Sequence, residues 1–170
     1  MNTVYLINVK ENENASLKAR HFLKKLFGED ITFKNGKKGK PYIEGKPHIH
    51  FNISHTDGLL VIAVSECSVG VDAEKIREVD IRVKKRFTKA EAEYIGYDTV
   101  RFFEIWTKKE AFLKQKGVGL KGGLQSFCVI ENAKISTFNY KDYIISVCFE
   151  KENTEYKKIT AFYGSYPKGY

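Results

Sequence analysis

This chain of 170 residues has few cysteines, few prolines and no long apolar run. Its three cysteines lie far apart without a Cys-x-x-Cys pair, which argues against a zinc site or a disulfide framework and favours a reducing cytoplasm. With only 3 prolines and 42% hydrophobic residues, the composition argues against disorder. No apolar run approaches the roughly 18 residues of a membrane-spanning helix. The sequence therefore indicates a globular protein without a membrane partner, built as one domain or two small halves.

The net charge of +8 points to an acidic partner. Nucleic acid, a phosphorylated small molecule and an acidic protein all satisfy that requirement. The sequence contains no recognised base-reading motif, so a nucleic-acid-binding module is the weakest of the three interpretations. We therefore expect no nucleic-acid partner.

Apolar periodicity predicts a mixed α and β organisation. The first nine residues alternate as a strand rather than an export signal, and a basic amphipathic helix is expected over residues 15–27, ending at Gly28. The lysine-rich residues 33–41 are expected to form a surface loop. The predicted strands that follow are a pair over residues 51–64 and 69–73 joined by a hairpin turn at 66–68, then an antiparallel meander at 127–130, 135–138, 143–149 and 158–163.

Two helices are expected between these groups of strands. Thr88 and Glu91 have the spacing of a capping box, so a helix should begin there and continue towards Ile95. A longer helix should begin near Asp98 or Thr99 and end at Gly117 or Gly119.

Three carboxylates and one lysine stand out in these apolar surroundings. On an extended backbone Asp72 and Glu74 project to the same side, because strand side chains alternate. Glu110 and Lys114 are spaced i, i+4 and share one helix face. Carboxylates gathered on one face repel each other unless a cation lies among them, and Mg²⁺ is usually held by a few carboxylates together with substrate phosphates. The alternatives are exposed acids on a strand and a surface ion pair.

Four ordered motifs in the chain resemble those of the surfactin-synthetase type of 4'-phosphopantetheinyl transferase. They are Gly39-Lys40-Pro41, Phe51-Asn52-Ile53-Ser54-His55, Gly70-Val71-Asp72-Ala73-Glu74 and Phe103-x-x-Trp106-Thr107-x-Lys109-Glu110-Ala111-x-x-Lys114. The resemblance implies an α+β fold of two similar halves, a pseudo-dimer with the active site in the cleft between them. It also implies an enzyme that moves the phosphopantetheine arm of coenzyme A onto a serine of an apo carrier protein and releases 3',5'-ADP.

The resemblance also implies roles for particular residues. Asp72, Glu74 and Glu110 are the implied ligands of Mg²⁺, with Mn²⁺ as an alternative metal. Glu110 has a second open role, instead of or besides metal binding, as the base that takes the serine proton. The implied coenzyme A contacts are Lys40, Ser54, His55 and Lys114, with Lys114 against the pyrophosphate; for Lys109, phosphate contact and simple solvation both stay open. A hydrolytic Ser54–His55 pair is unfavourable, since adjacent strand residues point to opposite faces.

The implied partner is an acyl, polyketide or peptidyl carrier protein, whose acidic helix suits a basic enzyme. Candidate contacts lie at residues 79–97, where a solvated basic face is the alternative interpretation. We expect a monomer divided into an N-terminal half at 1–67 and a C-terminal half with the metal site at 68–170. Compared with the family that the chain resembles, the N-terminal half is expected to be shortened, because only five residues separate Val9 from Ala15 where family members commonly have a longer basic segment. A carrier-binding relative without catalytic activity is the alternative function.

Overall fold

The structure is a computed structural model that describes residues 2–36, 39–118 and 123–151, and the backbone of residues 158–162. The structure contains both helices and strands, which confirms the expected mixed α and β class. Within the described ranges the elements are β1 (Thr3–Asn8), α1 (Ala15–Phe27), β2 (Phe33–Asn35), β3 (Pro41–Ile43), β4 (His50–Thr56), β5 (Leu59–Ser65), β6 (Val69–Lys75), a 3₁₀ helix (Ile81–Arg86), α2 (Lys89–Ile95), α3 (Thr99–Lys116), β7 (Ile135–Tyr140), β8 (Tyr143–Phe149) and β9 (Lys158–Phe162).

The strands form two main sheets and one short hairpin. The first sheet has the order β4-β5-β1-β9, with β1 antiparallel to β5 and parallel to β9. The second sheet, β6-β8-β7, is antiparallel throughout. Strands β2 and β3 pair only with each other among the described residues. The chain therefore builds one sheet, crosses to the other at β6 and returns to the first at β9.

The helix ends follow the capping chemistry in the sequence. α1 begins at Asn14, whose side chain accepts from the Leu17 N–H, and ends at Gly28. The capping box between Thr88 and Glu91 is formed with both reciprocal hydrogen bonds at the start of α2. Asp98 caps α3 by accepting from two backbone N–H groups of the first turn. All three predicted helices are confirmed.

Two strand predictions were wrong about partners. β5 and β6 do not form a hairpin: both edges of β5 are already paired, with β1 and β4, so β6 pairs with β8 instead. The last strand, β9, does not extend the β7–β8 hairpin but adds to β1 in the first sheet. Alternating apolar residues reveal a strand without specifying its neighbour, which is why the predicted antiparallel meander failed at its end.

Two local predictions also need correction. The segment 33–41 forms the β2–β3 hairpin rather than a simple surface loop, although Lys37 and Lys38 lie outside the described residues. The segment 127–130 is irregular rather than a strand. Its backbone is held by side chains, since the Phe127 carbonyl accepts from Lys109 and the Val129 N–H donates to Glu91.

The apolar core has three clusters. One packs α1 against a face of the first sheet, one lies between β1 and β5 of the first sheet and β6 and β8 of the second, and one joins α2 and α3 to the segment 124–129. Strand β5 is buried at every position. Among the described residues, no helix is both long and apolar enough to cross a membrane. The cluster between the sheets brings β4 and β6 close together, and that junction positions the site.

Candidate active site

The site lies where β4 of the first sheet runs beside β6 of the second. Polar side chains at alternate positions of β4 accept hydrogen bonds from alternate backbone N–H groups of β6. The donor and acceptor pairs are Val71 to Asn52 (2.8 Å), Ala73 to Ser54 (3.3 Å) and Lys75 to Thr56 (3.4 Å). Side chains thus replace a backbone ladder and satisfy the edge of β6, where unpaired groups would otherwise be costly. This polar junction fixes Ser54 beside Asp72.

Gly70 brings α3 against β6. It shares a strand face with Asp72 and Glu74, because side chains at every second residue point the same way. A Cβ at Gly70 would lie 2.1 Å from the Ala111 carbonyl oxygen and 2.3 Å from the Gln115 nitrogen. The helix backbone therefore approaches as closely as it does only because residue 70 has no side chain. This approach delivers the Glu110 and Lys114 turn of α3 to the carboxylates of β6.

Asp72 is a buried carboxylate with one oxygen in use. Only 5% of the surface of this residue is exposed to solvent. Oδ1 accepts from the Lys114 ammonium at 2.6 Å and from the Ser54 hydroxyl at 2.8 Å. Oδ2 is buried without a hydrogen-bond partner among the described residues. Burial raises the pKa of Asp72 above its ordinary value, an effect stronger than the opposing influence of Lys114.

Glu110 is the second carboxylate with an unpaired oxygen. Its Oε1 is buried and has no partner within the described part of the chain. Burial first, and the Asp72 charge second, raise the pKa of Glu110. Because buried polar atoms are nearly always satisfied in folded proteins, two such oxygens on interacting carboxylates mark a site built for something other than stability.

Glu74 completes the predicted acidic trio. Its carboxylate accepts from Arg77 at 2.8 Å and its side chain is 21% exposed. The charge of Glu74 acts on both Asp72 and Glu110. In the described residues no three acidic, histidine or cysteine side chains are already arranged around one metal position. The charges of Glu74 and the other two carboxylates therefore influence one another, and Lys114 and Arg77 are the cations paired with Asp72 and Glu74.

Ser54 is saturated by the protein. A hydroxyl offers one donor and two acceptor positions. Its donor goes to Asp72, and its oxygen accepts from Lys114 at 3.1 Å and from the Ala73 N–H. The described residues thus use every position of this hydroxyl, and Ser54 positions Asp72 and Lys114. Its predicted contact with coenzyme A stays a prediction.

Lys109 does not face the acidic trio. It is fully buried, and its ammonium donates to the carbonyls of Leu124 at 2.6 Å and Phe127 at 2.5 Å and pairs with Glu91 at 2.9 Å. Successive helical residues are about 100° apart around the axis, so Lys109 and Glu110 point in different directions. Both sequence interpretations, phosphate contact and solvation, are wrong for Lys109, which is a buried structural residue.

Lys40 is also used within the protein. Its ammonium donates to the Val69 carbonyl at 2.8 Å, and to the Gln115 carbonyl and the Ser68 hydroxyl at 3.3 Å each. Burial lowers the pKa of Lys40. All three ammonium donors are thus occupied by described acceptors at the junction of β6 and α3. Lys40 therefore ties the 39–41 segment to the site, and its predicted contact with coenzyme A stays a prediction.

His55 lies on the other side of β4 from Ser54. It is exposed, whereas Ser54 is buried, as strand alternation predicts. His55 lines a cavity of about 650 Å³ between the start of α1 and the turn after β4. It also borders a second cavity of about 300 Å³ that includes Arg20. Of the predicted coenzyme A contacts, Ser54 and Lys109 are buried, Lys40 and Lys114 are partly exposed, and His55 is exposed.

The basic residues predicted as carrier contacts lie on the 3₁₀ helix and its flanks. Arg82 forms an ion pair with Asp80, and the Lys84 ammonium lies 4.5 Å from the ring centre of Tyr97. Tyr97 is 90% exposed. The segment therefore presents charge and an aromatic ring together on the surface.

Two positioning residues went unassigned at the sequence level. Asn52 and Gly70 both lie in the four motifs, but the motif spacing predicts no structural role for either residue. The signal for Asn52 was the recurrence of polar residues at 52, 54 and 56, in alternation with Phe51 and Ile53. The signal for Gly70 was a glycine inside a Val-rich strand, which marks a place where another backbone approaches closely.

Comparisons with known proteins bear on the same residues. A family model described as the 4'-phosphopantetheinyl transferase superfamily matches residues 68–166, more than half of the chain. The transferase psf-1 of Bacillus pumilus is 33% identical over 132 residues, which are 72% of this chain and 57% of that relative. The transferase gsp of Aneurinibacillus migulanus is 38% identical over 120 residues, 66% and 49% of the two chains.

A third relative gives the same result. The transferase Sfp of Bacillus subtilis (strain 168) is 38% identical over 106 residues, which are 59% of this chain and 47% of that relative. The chain spans about half the length of these curated relatives. The matched region contains Asp72, Glu74, Glu110 and Lys114. This chain belongs to the 4'-phosphopantetheinyl transferase superfamily.

Proposed function

We propose that this protein transfers the 4'-phosphopantetheine group of coenzyme A to a serine of an apo carrier protein and releases 3',5'-ADP. The observation that carries the proposal is the contact between Asp72 and Lys114 beside the unpaired oxygen of Glu110, inside the region that matches the family. The relatives named above are 4'-phosphopantetheinyl transferases, which supports the same reaction class.

The proposed architecture is a pair of α+β halves, residues 1–67 and 68–170, with the reaction at their junction. The polar contacts between β4 and β6 support this, since they join the edge of one sheet to the edge of the other. The pairing of β9 with β1 adds a strand from the second half to the first sheet. The proposed halves are therefore interlocked.

A divalent metal fits the donors of the site. Asp72, Glu74 and Glu110 would hold Mg²⁺, or Mn²⁺ in its place, because hard cations prefer carboxylate oxygens. The unpaired oxygens of Asp72 and Glu110 support this assignment, since each is buried without a partner among the described residues. When bound, the metal would supply Lewis-acid stabilisation of the charge that develops on the phosphates.

The reaction requires removal of one proton and departure of one phosphate. The carrier serine oxygen forms a bond to the phosphorus that carries pantetheine, and the bond between that phosphorus and the bridging oxygen breaks. The bridging oxygen leaves with its electron pair as the 5'-phosphate of 3',5'-ADP. Glu110 accepts the serine proton, and its raised pKa suits a base that works near neutral pH.

Lys114 is the proposed phosphate contact at the same centre. Two of its three ammonium donors go to Asp72 and Ser54, and its side chain is 30% exposed. An ammonium at this position would stabilise negative charge on the leaving phosphate. His55, in the cavity near the start of α1, is the proposed contact for the rest of coenzyme A.

The proposed protein partner is an apo acyl, polyketide or peptidyl carrier. The 3₁₀ helix contributes Arg82, Lys84, Lys85 and Arg86, and the exposed ring of Tyr97 lies beside Lys84. A basic surface with an exposed aromatic side chain suits the acidic helix of a carrier protein. The enzyme is proposed to act as a monomer in the cytoplasm.

Intact-mass spectrometry of an apo acyl carrier protein tests the proposal. After incubation with the enzyme, coenzyme A and Mg²⁺, the carrier should gain one phosphopantetheine group, and EDTA should prevent the gain. Glu110→Gln should slow labelling by about 10² to 10⁴-fold, the usual contribution of a general base. The same change at the exposed Glu131 should leave the rate unchanged.

The opposite results have a clear meaning. If acyl, polyketide and peptidyl carriers all stay unlabelled although coenzyme A binds, the transferase proposal fails in favour of a carrier-binding relative without activity. If Glu110→Gln labels at the parent rate, the proposed base is wrong.

A further inference from the structure

Asp72 depends on Lys114 for its charge balance in this structure. The residue is 5% exposed, and the Lys114 ammonium lies 2.6 Å from its Oδ1. A buried carboxylate without a cation is strongly unfavourable, so this ammonium is its counter-ion. The other oxygen, Oδ2, is buried and unpaired within the described residues. Oδ1 thus contacts a cation, whereas Oδ2 has no hydrogen-bond partner among the described residues.

Lys114 has room to leave this contact. Its side chain is 30% exposed, in contrast to Lys109 on the same helix, whose side chain is 0% exposed. A lysine carries its charge on a flexible four-carbon stem, so the ammonium can move while the helix stays fixed. A second cation at Asp72 would repel the ammonium, because two like charges a few ångströms apart repel strongly in a poorly solvated site.

We propose that Lys114 is an exchangeable counter-ion: its ammonium neutralises Asp72 until a divalent cation binds there, and that cation then displaces it. This inference rests on the proposed function, because the cation is the one that the transferase reaction would use. Displacement frees the ammonium donors that Asp72 and Ser54 now occupy. Cation binding therefore comes first, and contact between the Lys114 ammonium and a phosphate follows it.

Mn²⁺ binding without coenzyme A tests the exchange. Free Mn²⁺ is measured by electron paramagnetic resonance during titration of the parent and of Lys114→Met. The variant should bind Mn²⁺ about tenfold or more tightly, because no ammonium has to be displaced and none repels the metal. Lys114→Arg keeps the positive charge and should not gain affinity. Lys116→Met, two residues along the helix and exposed, should match the parent.

Two results would overturn the exchange. Equal or weaker Mn²⁺ binding by Lys114→Met would show that the ammonium does not compete with the cation. Absence of Mn²⁺ binding in both the parent and Lys114→Met would show that there is no cation to exchange with.

A second measurement needs no variant and so does not depend on Lys114→Met folding. The ammonium resonances of ¹⁵N-lysine-labelled parent are followed by NMR as Mg²⁺ is added. The Lys114 signal should shift, while that of Lys109, held by Glu91 and two carbonyls, should stay in place as an internal reference. A Lys114 signal that does not move at saturating Mg²⁺ would contradict the proposal.

Carrier labelling separates this inference from the proposed function. A parent that labels its carrier, with no gain of Mn²⁺ affinity in Lys114→Met, would overturn the exchange and leave the transferase standing. A parent that labels no carrier, with tighter Mn²⁺ binding in Lys114→Met, would support the exchange and overturn the transferase.

Discussion

Lys109 and Lys114 lie five residues apart on α3, and each pairs with a carboxylate at a buried position. At Lys109 all three ammonium donors are used, by Glu91 and two backbone carbonyls. Glu91 also accepts from the Thr88 backbone and hydroxyl and from the Val129 N–H. Every charge at this centre is matched, and both residues are fully buried.

The Lys114 centre is incomplete by the same measure. Asp72 and Glu110 each keep one buried oxygen without a partner among the described residues, and Lys114 is partly exposed. A fully satisfied buried network rigidifies a fold, whereas a partly satisfied one carries a cost in stability. The difference indicates that one face of α3 holds the helix in place and the other is available for chemistry.

The largest expected effect comes from breaking the satisfied centre. Lys109→Met should lower the free energy of unfolding by about 3–5 kcal/mol, because Glu91 would remain buried without its cation. Urea denaturation followed by circular dichroism measures the change.

The neighbouring lysine provides the control for that experiment. Lys108 pairs with Glu104 one turn back on the same helix and keeps 14% of its side chain exposed. Lys108→Met should cost roughly 1 kcal/mol or less. Equal losses for the two variants would show that the Lys109 centre has no special structural role.

A smaller loss is expected from separating α3 and β6. Gly70→Ala places a methyl group against the helix backbone, where its Cβ would meet the Ala111 carbonyl oxygen at 2.1 Å. Overpacking of this kind should cost about 1–3 kcal/mol, and the shifted helix should also slow carrier labelling. The measurements are urea denaturation and the intact-mass assay.

Gly36→Ala is the matched control for Gly70→Ala. Its added Cβ would lie 3.3 Å from the nearest atom, the Lys40 carbonyl oxygen, in the β2–β3 hairpin. This variant should lose less stability than Gly70→Ala. Unaltered stability and labelling in Gly70→Ala would mean that the close approach is unnecessary.

Local chemistry made the helices predictable from the sequence. Asp98, Thr88 with Glu91, and Gly28 are caps whose hydrogen bonds involve residues a few positions away, and each is found where expected. The pairing of strands was less predictable, because β9 and β1 are brought together across most of the chain. A pattern of alternating apolar residues predicts a strand but does not predict which distant strand it pairs with.

The candidate site divides in the same way. Spacing alone placed Asp72 with Glu74 on one strand face and Glu110 with Lys114 on one helix face, and the structure brings Asp72 and Lys114 into contact. It could not show that Lys40 and Lys109 turn towards backbone carbonyls, since those acceptors lie 15–75 residues away in sequence. A lysine in a motif has the same letter whether its ammonium is buried or free.

The most direct test of the contrast between the two centres uses the variant Glu110→Gln. Its free energy of unfolding is measured in EDTA, and its labelling rate is measured separately with Mg²⁺ present. The account predicts a variant at least as stable as the parent, since a poorly satisfied buried charge has been removed, and one that labels the carrier at least about 10²-fold more slowly. A variant that loses several kcal/mol, as expected for Lys109→Met, or that labels at the parent rate would contradict it.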